Sequence, residues 1–463
     1  MMVLAHGFGI RYDLPVPLAL YLVAAGAVVV LSFVLVAYFV RGREGELDYP
    51  RKVLSGPAWL GRLVDGPLPR ALLGTVGVLA LAAIVFFGLA GSPDATNNPA
   101  EYVLWIYFWA ATVVLSGLVG DIYALANPFS ALYDLAYRIL HRPPGHGIAA
   151  YPRRLGVWPA VEGYFLFAFL ELASGQAAHP RSVALVAIVY TAYTFAGMLV
   201  FGRDQWLAKG EFFSVLFRLV GAMGVVAVRH TAGGREVEVR PPAVGLAHVD
   251  LEGWDIVAFV ILTLSSLAFD GVSATPAWGA LYTAVLPSFD SLGAAGPIVI
   301  KGLGLVGLTL AFFAIYAGFI ALVNRLAGAG RPSLVRTAST FAFTLVPIAL
   351  VYNAAHNYSY IVIQGQGIIP LLADPLHNGW HLLPTGGYKP SFAPADAGFV
   401  WSLQVILIVL GHVIAVYLSH VRSLTLFPRA KAALRSQYPM LVLMVIYTVT
   451  SLVILSQKIT ETG

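Results

Sequence analysis

The sequence contains no cysteine, which excludes disulfides, iron–sulfur clusters, thiolate metal sites and cysteine nucleophiles. Any metal must therefore rest on His, Asp, Glu, Asn, Tyr or backbone oxygen. Charge is nearly as scarce. Only 11% of the 463 residues are charged, against about 25% in an ordinary soluble chain. Two further patterns are missing. There is no sustained polar/apolar alternation, which a membrane barrel needs, and no glycine-rich phosphate loop or dinucleotide fingerprint. Nor is there an internal repeat or a long polar insertion, so residues 1–463 read as a single membrane domain.

What fills the chain instead is apolar sequence, 59% of it hydrophobic. The apolar residues come in runs of roughly 17 to 25, and about 20 helical residues cross a hydrocarbon core of about 30 Å. Lipid offers the backbone no partners, so such runs form helices. The expected fold is an all-α polytopic bundle in the cell membrane with about ten spans. They fall near Leu14–Val40, Ala71–Leu89, Tyr102–Val119, Val157–Ala173, Val183–Phe201, Ile256–Val272, Ile298–Leu322, Thr340–Tyr360, Phe399–Leu418 and Met440–Leu455. The first run is too long for a signal-peptide core and lacks a small-residue cleavage site, so it reads as an anchor.

An eleventh run, Phe212–Val228, is interrupted by Arg218, Gly221 and Gly224. If it does not span, 23 of the 28 Lys and Arg gather on one side; if it does, the asymmetry nearly vanishes. The positive-inside rule therefore makes it a re-entrant or interfacial helix within a cytoplasmic 202–253 segment, with Arg218 reaching to the headgroups. Both termini and the 361–398 loop then lie outside. This topology accounts for the net charge of +5, so the lipid bilayer is the expected partner and nucleic acid is not; a protein partner is left open. GREVEVRPP, Gly234–Pro242, alternates and predicts a short strand or hairpin.

Ionisable groups within a span cost about 2.5–3.5 kcal/mol each, so each needs a partner or a task. Asn353, His356, Asn357 and Tyr360 lie three or four residues apart and share one helix face. That stripe suits either interhelical hydrogen bonds or a substrate site. Glu171 and Asp270 are expected at a similar depth. With His356 they supply the nitrogen and oxygen donors that Zn, Fe, Mn or Cu accept, either carboxylate being able to activate a bound water. His412 lies mid-span and is paired here with Glu162 as a candidate proton path. His412 and His420 are eight residues apart, about 12 Å along a helix, and cannot share a metal or a haem. Asp374, His377 and His381 sit in a Gly/Pro-rich outer loop and read as solvated. Arg203, Asp204, Lys209 and Glu211 read as a charge-paired interfacial joint with Trp206 as its aromatic anchor.

Several stretches together resemble the fenitrothion hydrolase-like family of bacterial and archaeal membrane proteins. They are HGFGIRYDLPVPL, GDIYALANPFSALYD, RLGVWPA, FGRDQWLAKGEFFSVLFR, LAFDGVSATPAW, VYNAAHNYSYIVIQGQGIIPLLADP and GHVIAVYLSH, and they span nearly the whole chain. The resemblance implies a multi-helix membrane protein, with hydrolysis of phosphotriester-like substrates as the activity the family name carries. His356 and His412 fit the family pattern. The chain departs from it at Asn353, where a further histidine is usual, and at Asn357, where an aromatic is usual; His377 and His381 have no counterpart. Three functions are thus open: a metal-assisted hydrolase with Asn353, Asn357 and Tyr360 holding substrate; a transporter or channel for a solute, metal ion or proton; and a non-catalytic subunit or assembly factor of a membrane complex.

Overall fold

The computed structural model describes residues 16–39, 52–53, 66–141, 147–231, 234–328, 331–427 and 429–460. The HGFGIRYDL stretch, Arg11 and the basic residues between 41 and 51 lie outside them. The fold is an all-α bundle in which, among the described residues, ten helical segments are long and apolar enough to cross a membrane. In chain order the elements are α1 (Leu18–Phe39), β1 (Lys52–Val53), α2 (Pro67–Ala90), α3 (Pro99–Val119), α4 (Pro128–Ile139), α5 (Trp158–Leu172), α6 (Pro180–Phe201), α7 (Arg203–Lys209), α8 (Phe212–Gly221), β2 (Val226–Thr231), β3 (Gly234–Val239), α9 (Trp254–Ser273), α10 (Pro276–Val285), α11 (Ala295–Ala327), α12 (Leu334–Ala342), α13 (Val346–Val362), α14 (Ala397–Leu426) and α15 (Ala430–Thr460).

Many helix starts are written locally. Proline in the first turn of α2, α3, α4, α6 and α10 has no N–H to leave unpaired there. Asn98 caps α3 by accepting from Ala100 N, while its amide donates to Phe87 O and Ser92 O at the end of α2. Ser333 and Asp396 cap α12 and α14 in the same way. The helices run longer than the apolar runs predict at α11, α14 and α15, because polar ends extend beyond the hydrocarbon-length core.

The eleventh run behaves as a short helix, with a deeper position than expected. Glu211 caps α8 by accepting from Phe213 N and Ser214 N, and nearly every α8 side chain is buried between α3, α5, α7 and α13. Arg218 does not reach for headgroups. Its guanidinium donates to Ala208 O at 2.9 Å and faces Asp121, because α8 is enclosed by protein and the nearest partners are internal. Trp206 is likewise not a surface anchor: it is 4% exposed, wedged over Gly197 and Gly210 and stacked on Phe201. Around it the joint is charge-paired as expected, with Arg203 bridging Asp134 and Asp204 and Lys209 over the Tyr151 ring.

β2 and β3 form the expected hairpin, and β1 adds to its free edge in the order β1-β3-β2, all antiparallel. Arg240 ties this sheet to the end of α8 through Gly224 O and Ala222 O. The bundle therefore has a hairpin end and an opposite end, the latter carrying the connections at 91–98, 173–179, 274–294 and 372–396. The 361–398 loop is shorter than its predicted bounds, since Gln364–Gly367 and Ile368–Leu371 continue the helical path of α13.

Candidate functional site

Four spans meet near the opposite end of the bundle and each contributes an ionisable group. His356 comes from α13 and Asp270 from the last turn of α9, with Nε2 of the imidazole 2.5 Å from Oδ2 of the carboxyl. The imidazole side chain is 1% exposed and the carboxyl 18%, so the contact is sheltered but touches accessible space on the aspartate side. Tyr352, one turn before His356, stacks on its ring at 5.7 Å and 12°. Glu171, from the last turn of α5, accepts from Trp109 Nε1 at 2.8 Å and lies within electrostatic range of Asp270. The Trp109 ring is held against Phe167 and Tyr164, so the donor is fixed by packing.

A third carboxylate belongs to the cluster and escaped the sequence reading. Glu101 opens α3, is 7% exposed, and leaves Oε1 buried without a hydrogen-bond partner. Tyr360 lies within electrostatic range of Glu101, Glu171 and Asp270 together. The predicted third span began at Tyr102, which left Glu101 in a loop. Over Tyr102–Ala111 the backbone winds as a π-helix, and Glu101, Trp105 and Trp109, four apart, lie close to one line there. That spacing of acid and tryptophans was the available signal; the wider winding was not legible. π-Helical turns are uncommon and concentrate at functional sites.

The predicted polar stripe divides. His356 and Tyr360 face the acids, whereas Asn357 donates to Asn353 Oδ1 at 2.7 Å, so these two amides engage each other. His412 and Glu162 are not brought together: His412 is fully buried with Nδ1 on Ile408 O at 2.7 Å, and Glu162 is exposed on α5 beside Tyr193 of α6. Facing one residue inward and the other outward on their helices separates them. His377 and His381 are exposed, and Asp374 accepts from Asn378 N and Gly379 N in a loop turn. His420 sits near the hairpin end on Gln437 Oε1 at 2.8 Å.

Chemically, three carboxyls and one imidazole in low dielectric form a site biased toward protons and cations. His356 and Asp270 make a pair of donors; among the described residues no three His, Asp or Glu side chains are grouped to hold a metal ion. Compared with family models, with curated proteins and with solved structures, the chain matches none.

Proposed function

We propose that this multi-pass membrane protein carries protons, alone or coupled to a cation, through the acidic cluster of Glu101, Glu171, Asp270 and His356. The observation that carries this reading is the close Asp270–His356 contact, with Glu171 within electrostatic range of Asp270 and Glu101 sharing Tyr360 as a neighbour with both. Groups costing about 2.5–3.5 kcal/mol apiece to insert are kept where they do work, and chains of Asp, Glu and His within spans are a known form of proton relay. Burial favours a proton over a larger ligand: His356 and Glu101 have almost no free space beside them, and a proton needs none. The charge asymmetry of the sequence favours an orientation with the cluster outward, in which it would load from outside the cell membrane. Purified protein in liposomes enclosing a pH-sensitive dye tests this. A membrane potential should drive acidification, and Asp270→Asn should abolish it; flux no greater than in empty liposomes would overturn the reading.

A metal-assisted hydrolase of phosphotriester-like substrates is the second reading. It is favoured by the paired nitrogen and oxygen donors of His356 and Asp270, with Glu171 in electrostatic range of the aspartate, and by the resemblance to the fenitrothion hydrolase-like family. Metal analysis of the purified protein together with turnover of a neutral aryl phosphotriester decides it. Full turnover by metal-free protein, or no turnover with Zn, Fe, Mn or Cu supplied, removes it.

A further inference from the structure

α14 carries a line of buried polar atoms that nothing satisfies. Trp401 Nε1, Gln404 Oε1, His412 Nε2 and Ser419 Oγ each lack a hydrogen-bond partner, and the four residues are between 0% and 7% exposed. At 100° per residue they fall within about 80° of one another around the helix, and they cover about 27 Å of its length, close to a bilayer core. Unpaired buried polar atoms are rare and each one forfeits the hydration it had in water. Fifteen such atoms occur among the described residues; five belong to α14, and these four run along one face of it.

Both ends of the line are anchored. Near the opposite end, Gln404 Nε2 donates to Ala355 O, the residue before His356, and Tyr352 stacks on that histidine. The Tyr352 hydroxyl, also unpartnered, lies against Gly271, next to Asp270. Toward the hairpin end, Ser419 borders a cavity of about 10 Å³ with Gln437 and Met440, room for one water centre. Gln437 continues from there to Ser423 Oγ at 2.5 Å and to His420 Nδ1 at 2.8 Å.

The atom types identify the occupant. Trp401 offers only a donor, Gln404 Oε1 only an acceptor, and Ser419 both. His412 Nδ1 faces a carbonyl, which can only accept, so Nδ1 carries the hydrogen and Nε2 presents a lone pair. A partner that donates and accepts in turn, and fits where almost nothing else does, is water. We infer that this face of α14 is a hydration seam, a file of water-binding positions relaying protons between the Asp270–His356 pair and the hairpin end. At His412 the proton enters and leaves by Nε2, because Nδ1–H stays on Ile408 O. The relay role rests on the proton-carrying function proposed above; the seating of water does not.

Solid-state NMR of the full-length, uniformly ¹⁵N-labelled protein in lipid bilayers separates the two, with His412→Gln identifying the resonance. Polarisation from water should reach His412 Nε2 several-fold faster than it reaches lipid-facing backbone amides of α14. No faster transfer overturns the seam, whatever the flux. In the liposome assay, His412→Leu should reduce proton flux at least several-fold while the His356 resonance keeps its position. Unchanged flux in that variant overturns the relay, and water contact in a protein that moves no protons upholds the seam while removing the function it was to serve.

Discussion

Nε2 of His356 and Oδ2 of Asp270 lie 2.5 Å apart, joining α13 to α9 inside the bundle. Removing one member of a sheltered hydrogen-bonded pair leaves the other unsatisfied, which costs about 1–3 kcal/mol, whereas removing both together costs less than the two single losses. His356→Ala and Asp270→Ala should therefore each lower the unfolding temperature in mild detergent. The double variant Asp270→Ala/His356→Ala should lose clearly less than the sum of the two single losses. Additive losses would mean that the two side chains act independently.

Trp109→Phe tests the Glu171 contact by keeping an aromatic ring against Phe167 while removing the N–H together with part of the indole. Leaving that carboxyl oxygen unpaired should cost about 1–3 kcal/mol. Pairing Trp109→Phe with Glu171→Leu should recover part of the loss, measured as the midpoint of thermal unfolding. No recovery would assign the effect to the indole's packing alone.

Gly224 sits where α8 meets the turn after α3, and a Cβ there would fall 2.3 Å from Gly120 N. Backbone cannot yield as a flexible side chain can, so Gly224→Ala should destabilise the hairpin end by about 1–3 kcal/mol. Gly120 itself has φ +153° with its own close approach to Val226 O, so Gly120→Ala should be at least as damaging. Gly279→Ala, with open space around it, is the control and should be neutral.

Burial pushes the Asp121 carboxyl up to about 6, against the pull of Ala124 N–H and Arg218. The folded state thus holds this proton more tightly than the unfolded chain. The resulting stability is complete below about pH 4 and is lost as pH rises through about 6, at most about 3 kcal/mol. Unfolding temperature should fall across that window, and Asp121→Asn should flatten the part of the profile due to this group. An unchanged profile in the variant would place the pH dependence elsewhere, as at Glu211, another carboxyl that burial pushes upward.

The absence of native cysteine makes orientation directly testable. Asn378→Cys, in the loop of the opposite end, should react with an impermeant maleimide on intact cells. Asp204→Cys, exposed at the hairpin end, should react only after permeabilisation. The reverse pattern would invert the protein and turn the acidic cluster toward the cytoplasm.

Hydropathy made the ten spans and the short eleventh helix legible, since a run either covers the hydrocarbon core or does not, and charge settled which runs to count. Proline and Asn, Ser or Asp caps marked several helix starts for equally local reasons. The candidate site was legible as residue types on separate helices: His356, Asp270 and Glu171 stand out because charge in an apolar run is costly. Their meeting was not, and neither was Glu101, whose place inside a span depends on how α3 is wound. Arg218 and Trp206 show the limit most plainly. As isolated residues, a cation and an indole near a membrane edge belong at the headgroups, yet Arg218 on the enclosed α8 bonds Ala208 O and Trp206 on α7 packs over Gly197 and Gly210, so both turn inward. The sequence by itself determined a cysteine-free helical membrane protein and the inventory of its costly polar residues, because solvent preference acts residue by residue. Only the tertiary structure decided which of them face one another, because the rotation of each helix about its own axis is set by packing across the bundle and not by its local sequence.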